Sequence, residues 1–169
     1  MREFNTGYGT VRVLEGEALW AELLLRLRAV AAARAEPVVA LTGGSTPKAF
    51  YRWASAQPGA GAEGLDTVVW TVSDERHVPA SEDDSNWGNA WRGWLCAVNP
   101  PPDRRLPWPT DLDPQAAAEL YSGVFGERFG DASRTYDLCL LGMGDDLHTA
   151  SLFPQCPLLG ADDPRSFAA

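Results

Sequence analysis

The chain has 169 residues, a net charge of −9, 45% hydrophobic residues and 22% charged residues. This length suits one domain with a sizeable core, and the composition is that of a soluble globular protein. The acidic balance argues against nonspecific nucleic-acid binding, because that function needs a basic face.

The first half of the chain alternates predicted strands and helices. Residues 37–42 form a continuous apolar run after a proline, which is typical of a strand buried on both faces. Pro47 follows Ser45 and Thr46, either of which can cap a helix. The predicted elements are a strand over residues 10–14, a helix over 17–35, a strand over 37–42, a helix over 47–55 and a third strand over 67–73.

In the second half, Trp87, Trp91 and Trp94 recur at helical spacing. They predict a helix whose tryptophans face the core, with a sugar-stacking platform as the alternative. The predicted elements here are helices over residues 86–98 and 115–129 and a strand over 136–141. Alternating strands and helices indicate a three-layer α/β/α architecture with a mainly parallel, Rossmann-like sheet in a single domain over residues 1–169.

The strand over 136–141 leads into a glycine-broken loop that carries Asp146 and His148. Open α/β sheets place their chemistry in loops at the carboxyl ends of parallel strands, and histidine is the side chain best suited to proton transfer near neutral pH. A carboxylate two residues from an imidazole can fix its tautomer. The alternative is that Asp146 forms a turn and His148 caps the loop.

Two earlier strands also end in polar loops. Gly43, Gly44, Ser45 and Thr46 lead into a helix, where unpaired amides attract an oxyanion or phosphate, although a tight turn with a cap uses the same residues. Arg76 has the planar fork that clamps a phosphate. Its alternative is a salt bridge to Asp74 or Asp83, while the neighbouring His77 is expected to face solvent.

Three sequence blocks together resemble the 6-phosphogluconolactonase family, within the superfamily that includes glucosamine-6-phosphate isomerase/deaminase. They are GGSTP at residues 43–47, SDERHVP at 73–79 followed by DDSN at 83–86, and GMGDDLHTASLFP at 142–154. The resemblance extends over roughly residues 10–157, and the conjunction of blocks is far more specific than any one of them. HTASLFP favours the lactonase branch, since the deaminases carry Asn-Glu-Pro after the histidine.

The resemblance implies hydrolysis of 6-phosphogluconolactone in the pentose phosphate pathway. His148 would remove a proton from the attacking water and Asp146 would orient the imidazole. Backbone amides of the Gly43–Gly44 turn or of Gly142 and Gly144 would stabilise the oxyanion. Arg76 would bind the phosphate. No covalent nucleophile is needed.

Three further side chains are given non-catalytic roles. Ser151 is expected to cap the segment that follows it. Ser85 and Asn86 are expected to close a loop and cap a helix.

Other partners and cofactors are not indicated. Cys96, Cys139 and Cys156 are too few and too scattered for a disulfide framework, and no C-x-x-C pair or histidine cluster suggests a metal. We therefore expect no cofactor and no metal. Arginines interrupt the apolar run over residues 23–35, so no membrane segment is expected and the cytoplasm is the default location.

Two departures from the family bear on activity. Leu147 stands where the family has glycine, and we expect the loop to relax to a negative φ and displace His148. Asp145 adds negative charge near an anionic substrate. The chain also ends soon after this loop, so the domain is expected to be incomplete relative to the family and prone to self-association. A sugar-phosphate isomerase or deaminase and a non-catalytic sugar-phosphate-binding homologue are the rival interpretations.

Overall fold

A three-stranded parallel sheet lies at the centre of the computed structural model, which describes residues 1–130, 136–156, 159 and 167. Its strands are β3 (Val38–Leu41), β4 (Val69–Val72) and β5 (Leu138–Cys139), in the order β4-β3-β5. Every residue of β3 and β4 is buried. The continuous apolar run over residues 37–42 therefore corresponds to a strand covered on both faces.

Helices cover the two faces of this sheet. The helices are α1 (Glu17–Ala33), α2 (Ser45–Ser55), α3 (Asn86–Ala90), α4 (Cys96–Val98) and α5 (Pro114–Phe129), with a π-helical turn over Trp91–Leu95 and short 3-10 turns over Pro58–Gly61 and Pro102–Arg104. Val39 and Leu41 pack into a cluster with side chains of α1, α2 and α3. Val38 packs into a second cluster with α5. Because successive strand residues point to opposite faces, this division confirms the three-layer α/β/α prediction.

The tryptophan stripe faces the core, as predicted. Trp94 is fully buried, and Trp87 and Trp91 stack on each other at a ring-centroid distance of 6.1 Å. The indole Nε1 of Trp94 donates to the carbonyl oxygen of Ala60 at 2.8 Å, which satisfies its one polar atom. The sugar-stacking alternative is wrong for Trp94.

The N-terminal segment differs from its prediction. β1 (Arg2–Thr6) and β2 (Gly9–Val13) form an antiparallel hairpin that is separate from the parallel sheet. The strand predicted over residues 10–14 is thus one arm of a hairpin. The strand predicted over residues 67–73, which was the third in chain order, is the second strand of the parallel sheet. Every hairpin residue is exposed, so neither arm shows the alternation that marks a half-buried strand.

Two other elements have boundaries that differ from the predicted ones. α2 begins at Ser45 rather than at Pro47, and β5 spans only Leu138–Cys139 within the strand predicted over 136–141. In the part of the chain that the structure describes, no helix combines the length and the apolar character needed to cross a bilayer.

Candidate active site

The three loops with the predicted site residues follow the three parallel strands. Loop 43–46 follows β3, loop 73–77 follows β4 and loop 140–154 follows β5. Since parallel strands end at one edge of a sheet, the loops start side by side. Asn86 Nδ2 donates to the Asp74 carbonyl at 2.9 Å, and Ser151 Oγ donates to Asp74 Oδ2 at 3.0 Å.

Loop 43–46 forms the start of α2 without a capping side chain. Gly44 is the N-cap residue, with φ 101°, and it makes no side-chain cap. The prediction that Ser45 or Thr46 caps the helix is therefore wrong, because both lie in its first turn. A Cβ on Gly43 would lie 1.8 Å from Asn86 Oδ1, so the neighbouring loop requires glycine there. Ser45 and Thr46 are exposed, and they lie at the start of α2, where a helix offers unpaired amides to an anion.

The Arg76 side chain is exposed and makes no ion pair with any described residue. The predicted alternative, a salt bridge to Asp74 or Asp83, is not formed. Asp83 lies 3.7 Å from Arg92, and Asp74 accepts hydrogen bonds from serine hydroxyls. The guanidinium is thus free to bind a ligand. His77 beside it is exposed, as predicted.

Glu75 is a structural residue that the sequence analysis missed. Its carboxylate accepts hydrogen bonds from the amides of Arg76 at 2.8 Å, Asn86 at 2.6 Å and Trp87 at 2.9 Å, and from Ser85 Oγ at 3.2 Å. It thereby satisfies the first amides of α3 and fixes the backbone of Arg76. The sequence signal was an acidic residue between a buried strand and a capped helix.

Ser85 and Asn86 close this loop, as predicted. Ser85 Oγ accepts from the Gly88 amide at 2.9 Å, so Ser85 is the N-cap of α3. Asn86 is 5% exposed and connects loop 73–77 with loop 43–46. Both residues hold the edge of the sheet together.

Asp146 and His148 form a contact in loop 140–154. Asp146 Oδ1 lies 2.5 Å from His148 Nδ1 and also accepts from the His148 amide at 3.2 Å. The side-chain hydrogen bond with His148 lowers the pKa of Asp146 below its ordinary value. An ionised carboxylate can only accept, so Nδ1 carries the proton and Nε2 is left as a base. The Phe153 ring packs on the imidazole at a centroid distance of 4.4 Å.

The prediction that loop 140–154 relaxes around Leu147 is wrong. Leu147 has φ 69°, and the Asp146–His148 contact is intact. Local hydrogen bonds enforce this conformation, from the Leu147 amide to the Gly144 carbonyl at 3.0 Å and from the Gly144 amide to the His148 carbonyl at 2.9 Å. The Leu147 side chain is 74% exposed, so it does not obstruct the pair. The loop thus keeps a positive φ at residue 147 with a leucine there.

Two other predictions for this loop need correction. The Gly144 amide is engaged by His148, so it is not free to stabilise an oxyanion, whereas the Gly142 amide has no recorded partner in the described part of the chain. A Cβ on Gly144 would lie 2.2 Å from His148 Cε1, which explains the glycine. Ser151 caps no helix among the described residues, and its hydroxyl donates to Asp74 instead.

A cavity of about 840 Å³ adjoins these loops. Thr46 and Gly142 both line it, so loops 43–46 and 140–154 share one wall. Arg76 and His148 do not line this cavity. Within the described residues, no group of three or more His, Cys, Asp or Glu side chains is arranged to hold a metal ion.

The chain is similar to several known proteins. The family described as Glucosamine-6-phosphate isomerases/6-phosphogluconolactonase matches residues 16–169. A 6-phosphogluconolactonase of Synechocystis is 39% identical over 142 residues, covering 82% of this chain and 58% of the relative. One of Pseudomonas aeruginosa is 34% identical over 154 residues, covering 89% and 60%. The crystal structure of a Thermotoga maritima 6-phosphogluconolactonase superposes with a TM-score of 0.72 at 25% identity, covering 85% of this chain and 63% of that one. The chain thus spans about three fifths of the length of these relatives.

Proposed function

The chain belongs to the glucosamine-6-phosphate isomerase/6-phosphogluconolactonase family, and we propose that it hydrolyses 6-phosphogluconolactone to 6-phosphogluconate in the pentose phosphate pathway. The observation that carries this proposal is the Asp146–His148 pair, with its 2.5 Å contact, at the carboxyl edge of a parallel sheet. Lactone hydrolysis needs one base that can also act as an acid, and a histidine oriented by a carboxylate supplies it.

The proposed reaction has two steps. His148 Nε2 takes a proton from a water molecule while the water oxygen forms a bond to the lactone carbonyl carbon. The carbonyl electron pair moves onto its oxygen, where the amides of Gly142 and the Gly43–Gly44 turn are the candidate donors. When that pair returns, the bond to the ring oxygen breaks and the imidazolium protonates the leaving oxygen. Asp146 stabilises the imidazolium between the steps.

Phosphate binding is assigned to a local cationic site rather than to the overall field. A chain with a net charge of −9 repels an anionic ester at long range. The groups that suit a phosphate are the first amides of α2 and the guanidinium of Arg76, which makes no ion pair with any described residue. Glu75 supports this role, because it holds the Arg76 backbone without engaging the Arg76 side chain.

A lactonase assay corrected for spontaneous hydrolysis tests the proposal. His148→Ala should lower kcat by roughly 10²–10⁴-fold, the usual contribution of general acid–base catalysis. Arg76→Ala should mainly raise KM, since phosphate binding is remote from the carbonyl. His77→Ala is the matched control, because His77 is the other histidine and lies exposed beside Arg76. An unchanged rate in His148→Ala would remove His148 from the mechanism.

A sugar-phosphate isomerase or deaminase is the rival activity. The packing of Phe153 on the His148 ring favours the lactonase, since the deaminases carry a glutamate at the corresponding point of their Asn-Glu-Pro sequence. Incubation with glucosamine 6-phosphate should therefore release no ammonia. Binding of 6-phosphogluconate without turnover of the lactone would identify a non-catalytic homologue instead.

Self-association is proposed on separate grounds. Leu141 and Met143 are 59% and 77% exposed, and both line the cavity beside β5. Apolar side chains of this size in contact with water favour association. Sedimentation velocity should show species larger than the monomer at micromolar concentration, and a monodisperse monomer would contradict the proposal.

A further inference from the structure

We propose that Ser151 is a positioning residue, which fixes His148 relative to Arg76 by anchoring loop 140–154 to Asp74. The assignment to lactone hydrolysis rests on the proposed function. The anchor itself rests on a hydrogen bond of 3.0 Å from Ser151 Oγ to Asp74 Oδ2.

Among the described residues, Ser151 provides a hydrogen bond that joins segment 142–156 to another part of the molecule. From residue 142 to residue 156, the other recorded hydrogen bonds of the described chain join residues of the segment to one another or to Leu159. Thr149 Oγ1, for example, donates to the Gly142 carbonyl at 2.9 Å. The Ser151–Asp74 bond joins residues 77 positions apart.

The backbone on either side of His148 lies in a disfavoured conformation. Leu147 and Ala150, on either side of His148, have φ values of 69° and 50°. Residues with a Cβ disfavour this region, and they stay in it only where surrounding contacts enforce it. The bonds within the loop set its shape, and the Ser151–Asp74 bond connects the loop to loop 73–77.

Asp74 is a rigid anchor point. Its Oδ1 accepts from Ser73 Oγ at 3.2 Å and its carbonyl accepts from Asn86 Nδ2 at 2.9 Å, so both ends of the residue are held. Asp74 lies two residues before Arg76, and Ser151 lies three residues after His148. This hydrogen bond therefore connects the loop of His148, the proposed base, to the loop of Arg76, the proposed phosphate-binding residue.

Steady-state kinetics separate positioning from folding. Ser151→Ala should lower kcat roughly 10- to 100-fold, the cost of a misplacement of about 1 Å, and leave KM within about twofold. Ser151→Thr keeps the hydroxyl and should restore most of kcat. Ser122→Ala is the matched control, because the Ser122 hydroxyl donates within α5. Equal kcat values for Ser151→Ala and Ser122→Ala would overturn the proposal.

Hydrogen exchange tests the anchor without substrate. The amides of Gly144, Leu147 and Leu152 donate within the loop, and in Ser151→Ala they should exchange several-fold faster than in the wild type. Unchanged exchange would overturn the proposal whether or not the protein turns over lactone. If the wild type showed no lactonase activity while exchange accelerated, the proposed function would fail and the anchor would stand.

Discussion

Replacing Leu147 with glycine should stabilise the protein and leave turnover nearly unchanged. Leu147 has φ 69°, where a residue with a Cβ costs about 1–2 kcal/mol. Glycine removes that cost but raises the entropy of the unfolded chain, which offsets about 0.4–1 kcal/mol. The leucine side chain is 74% exposed, so little apolar burial is lost. The free energy of unfolding should therefore rise by about 0.5–1 kcal/mol, from the difference of these terms.

Urea unfolding of Leu147→Gly and Leu147→Ala isolates the backbone effect. Alanine keeps the Cβ and the strain while removing the rest of the side chain, so its stability should stay close to that of the wild type. Ala150→Gly, at φ 50°, is a second site where the same gain is expected. In the lactonase assay, kcat of Leu147→Gly should stay within about threefold of the wild type, because the Asp146–His148 contact is already formed.

Two results would refute this reasoning. If Leu147→Gly and Leu147→Ala unfold at the same urea concentration, the loop stores no strain at residue 147. If kcat of Leu147→Gly rises tenfold or more, the leucine displaces His148 in solution, contrary to the 2.5 Å contact. Urea unfolding tests the backbone strain and kcat tests the catalytic geometry, so either idea can be refuted without the other.

Three further predictions concern titration, reactivity and the core. The hydrogen bond with His148 lowers the pKa of Asp146, so the contact stabilises the fold above the ordinary aspartate pKa, and this stabilisation is lost as the pH falls through the lowered value. In an NMR pH series, the Asp146 carboxyl carbon should titrate below 3.8. A midpoint above 3.8 would contradict the prediction. Burial raises the pKa of the Cys139 thiol, so iodoacetamide at pH 8 should modify exposed Cys96 first, as peptide mass spectrometry would show. Trp94→Ala should lower the free energy of unfolding by about 3–5 kcal/mol, since the side chain is fully buried, and a smaller loss in urea unfolding would mean that the core repacks.

Much of the fold follows from local patterns in the sequence. β3 lies within a continuous apolar run, and β4 lies within a β-branched and apolar segment, because both faces of a parallel sheet are covered. β1 was missed because none of its residues is buried, so its side chains carry no hydrophobic period. β5 is shorter than its apolar run because only Leu138 and Cys139 pair with β3, a pairing that depends on a strand about 100 residues earlier.

The candidate site was likewise predictable only where its contacts are local in the sequence. The Asp146–His148 pair was predictable, because two residues in one loop are close whatever the fold does around them. Glu75 and Ser151 were not, since Glu75 also binds residues 10 to 12 positions away and Ser151 binds one 77 positions away, and these contacts depend on how loops meet. The negative φ expected at Leu147 was wrong because hydrogen bonds within residues 144–148 hold the loop in its positive-φ conformation.

Asp145 then remains as the feature that opposes substrate binding. Its exposed carboxylate stands in the loop of His148, and an anion about 8 Å away would feel about 0.5 kcal/mol of repulsion per unit charge in water, before screening by salt. Asp145→Asn should therefore lower KM about twofold at low ionic strength and have little effect in 0.5 M salt, where the Debye length is roughly 4 Å. Glu127→Gln is the control, because it also removes one negative charge at an exposed position. Glu127 lies near the end of α5, outside the loop of His148. Equal effects of the two variants would mean that net charge rather than position governs binding. A lower KM in Asp145→Asn alone would support a bound anion beside the Asp146–His148 pair.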